Sequence, residues 1–187
     1  MNLPNSLSLF RLVLVPVFVL VFFLGGEYSY VWAISVYILA EVTDCLDGYI
    51  ARKFNKVTRL GRILDPLADK LMAFSAIVCI AVSGIVPWWA VLLFVIKEAL
   101  MGLGALFMFK KIDDVMPSNM PGKVANVVFF ADCVILMFDR TIAPLTAAIM
   151  ISVALAVAYF AFFNYLAKYV AVLKKHRNKT GTDAKNT

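Results

Sequence analysis

Residues 71–96 read LMAFSAIVCIAVSGIVPWWAVLLFVI, a run without a single charged side chain. A helix crossing a hydrocarbon core about 30 Å thick needs roughly 20 residues, so this run is too long for one span. Gly84 and Pro87 break it, which predicts two spans joined by a tight turn. Working outward from this pair, the charges and the breaker residues divide the rest of the chain. Helices are expected over about 7–24, 28–51, 62–84, 87–109, 121–138 and 143–168, the first ending at Gly25-Gly26. The predicted class is an all-α integral membrane protein of six transmembrane helices.

Composition agrees with that class. Of 187 residues, 63% are hydrophobic and 16% charged, against roughly 45–50% and about 25% in soluble domains. A water-soluble enzyme is excluded, and so is a disordered chain, which requires low hydrophobicity. Residues 1–173 leave room for one membrane domain, and 174–187 read as a basic, disordered tail. Cys45, Cys79 and Cys133 stand singly and read as core filler. His176 is the only histidine, so a zinc site or a His-based nucleophile lacks its parts. The first apolar run has no basic flank and no small-residue cleavage site, and is expected to be retained.

The 18 Lys and Arg residues set the orientation. Arg52, Lys53, Lys56, Arg59 and Arg62 follow the second helix, Lys110, Lys111 and Lys123 flank the link after the fourth, and six more lie from Lys168 onward. The other side holds Arg140, with Trp32, Trp88 and Trp89 at the matching helix ends. The positive-inside rule and the aromatic belt therefore both place the two termini in the cytoplasm. The net charge of +6 follows from this asymmetry and from anionic lipid headgroups as partners; nucleic acid is not a partner.

Five of the twelve acidic residues crowd into 41–69. An ionised carboxylate inside a span costs about 2.5–3.5 kcal/mol on insertion scales and needs a partner. Asp44 and Asp47 are spaced i,i+3 and share a helix face, with Gly48 and Ala51 continuing nearly the same stripe. Asp65 and Asp69 are spaced i,i+4, with Pro66 suited to a first helical turn and Asp65 to its N-cap. Two carboxylate pairs facing each other across a hairpin form a hard, oxygen-only site suited to Mg²⁺ or Mn²⁺, with enough ligands for two ions. Small-residue walls beside two such ions describe a cradle for a pyrophosphate. The plainer alternative is a hairpin whose acids are merely salt-bridged to its basic residues.

The pattern Asp44-x2-Asp47-Gly48-x2-Ala51-Arg52-x8-Gly61-x3-Asp65-x3-Asp69 resembles, at all eight fixed positions, the signature of the CDP-alcohol phosphotransferases. That resemblance implies displacement at the pyrophosphate of a CDP-linked donor with release of CMP. It also implies a homodimer of six-helix subunits in a bacterial cell membrane, the site opening toward the cytoplasm. By resemblance, Asp44, Asp47, Asp65 and Asp69 would hold the two metals, and Asp69 would also be the general base. Asp47, Gly48, Ala51, Arg52 and Gly61 would receive the CDP moiety, with Arg52 either contacting phosphate or bracing a metal-bound Asp.

Leu3-Pro4-Asn5 followed by Arg11, and Asp65-Pro66-Leu67-Ala68-Asp69-Lys70, resemble the branch that uses CDP-diacylglycerol. The expected reaction passes its phosphatidyl group to glycerol 3-phosphate, with Lys97 and Lys123 as candidates for the acceptor phosphate. Members using that acceptor commonly carry Arg-Glu where this chain has Lys97-Glu98, and Gly-Lys-x-Lys-Thr where it has Gly122-Lys123-Val124-Ala125-Asn126. A lysine is a point charge without the two-pronged reach of a guanidinium. Phosphatidylglycerol, giving cardiolipin, is therefore the alternative acceptor. A more remote alternative is an ion- or proton-coupled transporter, which would spread its acids along a path. Arg11 either snorkels to the interface or reaches phosphate; Lys97 either binds acceptor or pairs with Glu98. Glu41, one turn before Asp44, reads as a partner of a metal-bound carboxylate, and Asp132 as a polar contact between helices or subunits.

Overall fold

The computed structural model describes residues 3–54, 61–111 and 120–183, with side chains for 6–46, 64–104 and 120–168. The helices are α1 Leu3–Leu24, α2 Ser29–Phe54, α3 Gly61–Val82, α4 Trp88–Lys111, α5 Met120–Phe138 and α6 Pro144–Asp183, with a 3-10 turn at Gly26–Tyr28. The breaks fall where glycine allows them. Gly26 and Gly84 take φ of 67° and 76°, the left-handed region that other residues enter at a cost. At the end of α3, Ile85 N–H donates to Ile80 O (3.2 Å) and Gly84 N–H to Ala81 O (3.0 Å), the 6→1 and 5→2 bonds of a Schellman cap.

Three details depart from the sequence reading. Helix α3 begins at Gly61, so Asp65 lies within it and is no N-cap; Pro66 sits early enough that its missing N–H removes one bond without stopping the helix. Helix α6 runs on to Asp183, through most of the stretch expected as a disordered tail. Each residue added to a formed helix gains a hydrogen bond, and Lys168, Ala171, Leu173, Lys174, Lys175 and Arg177 are good helix formers. Cys45 is exposed rather than core filler, because it lies on the outward face of α2 between Asp44 and Leu46.

Helix α1 packs most extensively on α2 and α3, and α5 on α6, with α4 joined to α3 and α6. Aromatic rings tie the groups together: Phe18 lies 5.8 Å from Tyr37, Tyr37 4.9 Å from Phe130, and Phe94 stacks on Phe129 at 4.8 Å. Ala154, Ala158 and Ala161 are buried along one face of α6, the latter two against Ala125 of α5, while Ala156 points outward. This close approach of α5 and α6 is what small residues permit. The outer surface is apolar, with Leu20, Phe23, Val127 and Phe160 all exposed.

Among the described residues, four helical stretches are long and apolar enough to cross a membrane: Ser6–Leu24, Gly26–Leu46, Met120–Phe138 and Pro144–Lys168. Helices α3 and α4 are interrupted by charge, α3 by Asp65, Asp69 and Lys70 and α4 by Lys97 and Glu98. At one end of the bundle the Arg140 guanidinium lies over the rings of Phe22 (5.7 Å) and Tyr30 (5.8 Å), beside the helix ends that carry Trp32, Trp88 and Trp89. The charged residues of α1 to α4 gather toward the other end.

Candidate active site

Two charge clusters face inward there. The first joins three helices. Arg11 of α1 is 2% exposed and forms an ion pair with Asp44 of α2, while its second guanidinium nitrogen lies 3.8 Å from Asp65 of α3. Ser8, one turn before Arg11 and fully buried, donates its hydroxyl to Asp65. The two carboxylate side chains are 40% and 37% exposed, whereas that of Arg11 between them is 2% exposed.

The second cluster links α3 to α4. Glu98 accepts from Lys70 at 2.8 Å and from its neighbour Lys97, and Lys70 also lies 3.9 Å from Asp69. One acid thus serves two bases. Lys97 is buried and its ammonium stands 5.7 Å from the centre of the Phe94 ring, a cation–π arrangement. The expected pairing of Lys97 with Glu98 is present, and Lys97 also lines the cavity, so the two roles drawn from the sequence are compatible.

Beside the second cluster lie two adjoining pockets. The inner one, about 30 Å³, has room for one or two waters and is lined by Tyr37, Glu41, Asp69, Lys70 and Lys97 among others. Tyr37, Glu41 and Asp44 follow one another at i, i+4 and i+7, which puts all three on the inner face of α2. The outer pocket, about 280 Å³, is lined by the polar residues Lys70, Lys97, Lys123, Asn126 and Tyr165 together with the apolar Met101, Ala161 and Phe162. Lys70, Lys97, Ala125, Asn126 and Ala158 line both pockets, so the pocket of Asp69 and the pocket of Lys123 adjoin each other.

The sequence candidates are therefore partly brought together. Asp44 and Asp65 meet at Arg11, Asp69 opens into the inner pocket, and Lys97 and Lys123 share the outer one. Arg11, grouped with those lysines in the sequence reading, does not line their pocket; its guanidinium lies on the carboxylates instead. Asp47, Gly48, Ala51, Arg52 and Gly61 lie outside the residues with described side chains. Among the described residues no three His, Cys, Asp or Glu side chains stand close enough to hold a metal ion. Lys70, Asn126 and Tyr165 were not singled out by sequence; Lys70 directly follows Asp69, and that adjacency was the available signal. Asp132 is partly buried on α5, outside both pockets.

A family model described as CDP-alcohol phosphatidyltransferase matches residues 1–163. The chain belongs to this family. It is thus an enzyme, a phosphatidyltransferase of phospholipid biosynthesis. Among its relatives, a Mycobacterium tuberculosis protein carrying the name cardiolipin synthase is 29% identical over 170 residues, 91% of this chain and 80% of its own. A second protein of that organism, carrying the name phosphatidylglycerophosphate synthase, is 36% identical over 130 residues, 68% of this chain and 61% of its own. The CDP-diacylglycerol–glycerol-3-phosphate 3-phosphatidyltransferase of Bacillus subtilis is 33% identical over 135 residues, 66% of this chain and 69% of its own. Membership in a transferase family leaves the transporter reading without support.

Proposed function

We propose that this phosphatidyltransferase passes the phosphatidyl group of CDP-diacylglycerol to sn-glycerol 3-phosphate, releasing CMP and phosphatidylglycerol phosphate. The observation that carries the reading is the outer pocket, lined by Lys70, Lys97 and Lys123 and adjoining the inner pocket that Asp69 lines. A small acceptor phosphate seated on those lysines places its hydroxyl toward the inner pocket. Asp69 takes the hydroxyl proton, the alkoxide oxygen bonds to the diacylglycerol-side phosphorus, and the bond from that phosphorus to the CMP oxygen breaks.

Asp44, Asp47, Asp65 and Asp69 would hold two Mg²⁺ or Mn²⁺ ions. The donors present fit hard cations: all are carboxylate oxygens, and Asp44 and Asp65 already converge on a positive group with their side chains partly exposed. When bound, such ions stabilise the negative charge that develops on the departing phosphate. The small side of the α2–α3 hairpin, Gly48, Ala51 and Gly61, with Asp47 and Arg52, would receive the CDP moiety.

In this reading all six helices cross the membrane, with α3 and α4 turning their charges inward, and both termini and the site face the cytoplasm. The tryptophans and Arg140 at the opposite end support that orientation. The functional unit is a homodimer, by the family resemblance. A second acceptor, phosphatidylglycerol, is favoured by the apolar wall of Met101, Ala161 and Phe162 and by the relative named cardiolipin synthase. The deciding experiment measures CMP release by the purified protein from CDP-diacylglycerol, with glycerol 3-phosphate and phosphatidylglycerol in parallel and Asp69→Asn as the blank. Release with glycerol 3-phosphate alone supports the proposal; release with phosphatidylglycerol alone replaces it with cardiolipin synthesis.

A further inference from the structure

We propose that Arg11 is a positioning residue for the metal ligands, a fixed counter-ion set behind the carboxylates that holds Asp44 and Asp65 at one point. The inference rests on the reading that the aspartates bind divalent cations, and it assigns α1 a part in that site. Arg11 and Ser8 share a face of α1, spaced i,i+3, and both are buried. Helix α1 packs on both α2 and α3, the two helices that supply the aspartates. One guanidinium nitrogen pairs with Asp44 and the other lies 3.8 Å from Asp65, while the Ser8 hydroxyl holds the same Asp65 oxygen.

The geometry makes Arg11 a support rather than a plug. Its side chain is 2% exposed, while those of Asp44 and Asp65 are 40% and 37% exposed. A cation approaching from the open side meets carboxylates whose inner oxygens are already held. Partners of this kind fix the orientation of ligating groups, and their loss typically lowers metal affinity about 10–100-fold. A planar fork gives each carboxylate its own nitrogen in a fixed geometry; a lysine ammonium offers a single point. Before any cation arrives, the same guanidinium offsets the repulsion between Asp44 and Asp65.

The test is the Mn²⁺ binding isotherm of the detergent-purified full chain, read by electron paramagnetic resonance of free Mn²⁺, for wild type, Arg11→Ala, Arg11→Lys and Ser8→Ala. The dissociation constant should rise about 10–100-fold in Arg11→Ala and at least tenfold in Arg11→Lys, which keeps the charge and fills most of the space. Ser8→Ala, the mildest change, should raise it severalfold, which keeps the test alive if Arg11→Ala does not fold. Mn²⁺ affinity that is unchanged or tighter in Arg11→Lys and Ser8→Ala would overturn the proposal, leaving Arg11 a packing residue or a competitor. Wild-type protein that binds no Mn²⁺ would instead overturn the metal reading, and this inference with it.

Discussion

Replacing Lys97 by Met removes one cation from the wall shared by both pockets while keeping an apolar stem of similar length. Glu98 retains Lys70 at 2.8 Å, so the substitution leaves no buried acid without a base. The fold should survive, losing little beyond the contact with the Phe94 ring, worth about 0.5–1 kcal/mol. A charge-assisted hydrogen bond from lysine to an acceptor phosphate is worth about 1.5–3 kcal/mol. KM for glycerol 3-phosphate should therefore rise roughly 10–150-fold, with kcat changed only a few-fold because Asp69 is untouched. The reciprocal change, Glu98→Met, leaves Lys70 and Lys97 facing each other without their shared acid. Breaking a buried pair by removing one partner costs about 3–5 kcal/mol, and the partly exposed Lys70 argues for the low end. The assay is CMP release at saturating CDP-diacylglycerol with the acceptor varied, alongside thermal melts followed by circular dichroism. A KM within twofold of wild type in folded Lys97→Met would refute the acceptor role. Equal melting of the two variants would refute the shared-acid argument.

Asp69→Asn should lower CMP release by a hundredfold or more, the range of a lost general base, with an unchanged melt; appreciable turnover in that variant would remove Asp69 from the role. Stripping divalent cations with a chelator should abolish CMP release, and either Mg²⁺ or Mn²⁺ should restore it; full activity in chelator would end the metal reading. Ala125→Leu, placed where Ala125 meets Ala158 and Ala161, should cost about 1–3 kcal/mol by overpacking, seen as a lower Tm. In the α5–α6 link, Thr141 donates its hydroxyl (2.6 Å) and backbone N–H (2.9 Å) to Asp139, which holds that carboxyl below its ordinary range. A depressed folded value stabilises above the ordinary carboxylate range and is lost as pH falls through the lowered value. The Tm gap between wild type and Asp139→Asn should accordingly narrow from pH 7 to about pH 3, and a constant gap would refute the assignment.

What the sequence made legible was the part written in local chemistry. Gly26 and Gly84 stop helices because of their own backbone freedom, and the break in 71–96 could be read without any tertiary information. The charges of α3 and α4 showed that these helices must face something polar. Pairings between distant elements were not legible. Arg11 reaches Asp44 and Asp65 only because α1 packs across both α2 and α3, and Lys70 meets Glu98 across helices separated by a turn. The outward face of Cys45 and the full length of α6 were missed for related reasons. Burial of a single cysteine depends on which helix face finds a partner, and the end of a formed helix is set weakly by side chains that are themselves good helix formers.

The two clusters divide charge in a way that suits the proposed reaction. Arg11, Asp44 and Asp65 together carry one net negative charge, and Asp47 belongs to the same motif. Lys70, Lys97 and Glu98 together carry one net positive charge, and Lys123 adds to that side of the outer pocket. Each cluster offsets most of the insertion cost of its own charges while keeping an excess of the opposite sign from its expected guest, divalent cations at one and an acceptor phosphate at the other. Asp69 stands on the boundary, 3.9 Å from Lys70 and on the same helix face as Asp65. A hydroxyl delivered from the positive side reaches it without crossing the negative one. This arrangement gives a reason for the charged side chains that α3 and α4 carry within otherwise apolar stretches. Without Asp69 α3 would carry no proposed base, and without Lys97 α4 no proposed acceptor seat, so the intramembrane charges are what the proposed site requires of these two helices.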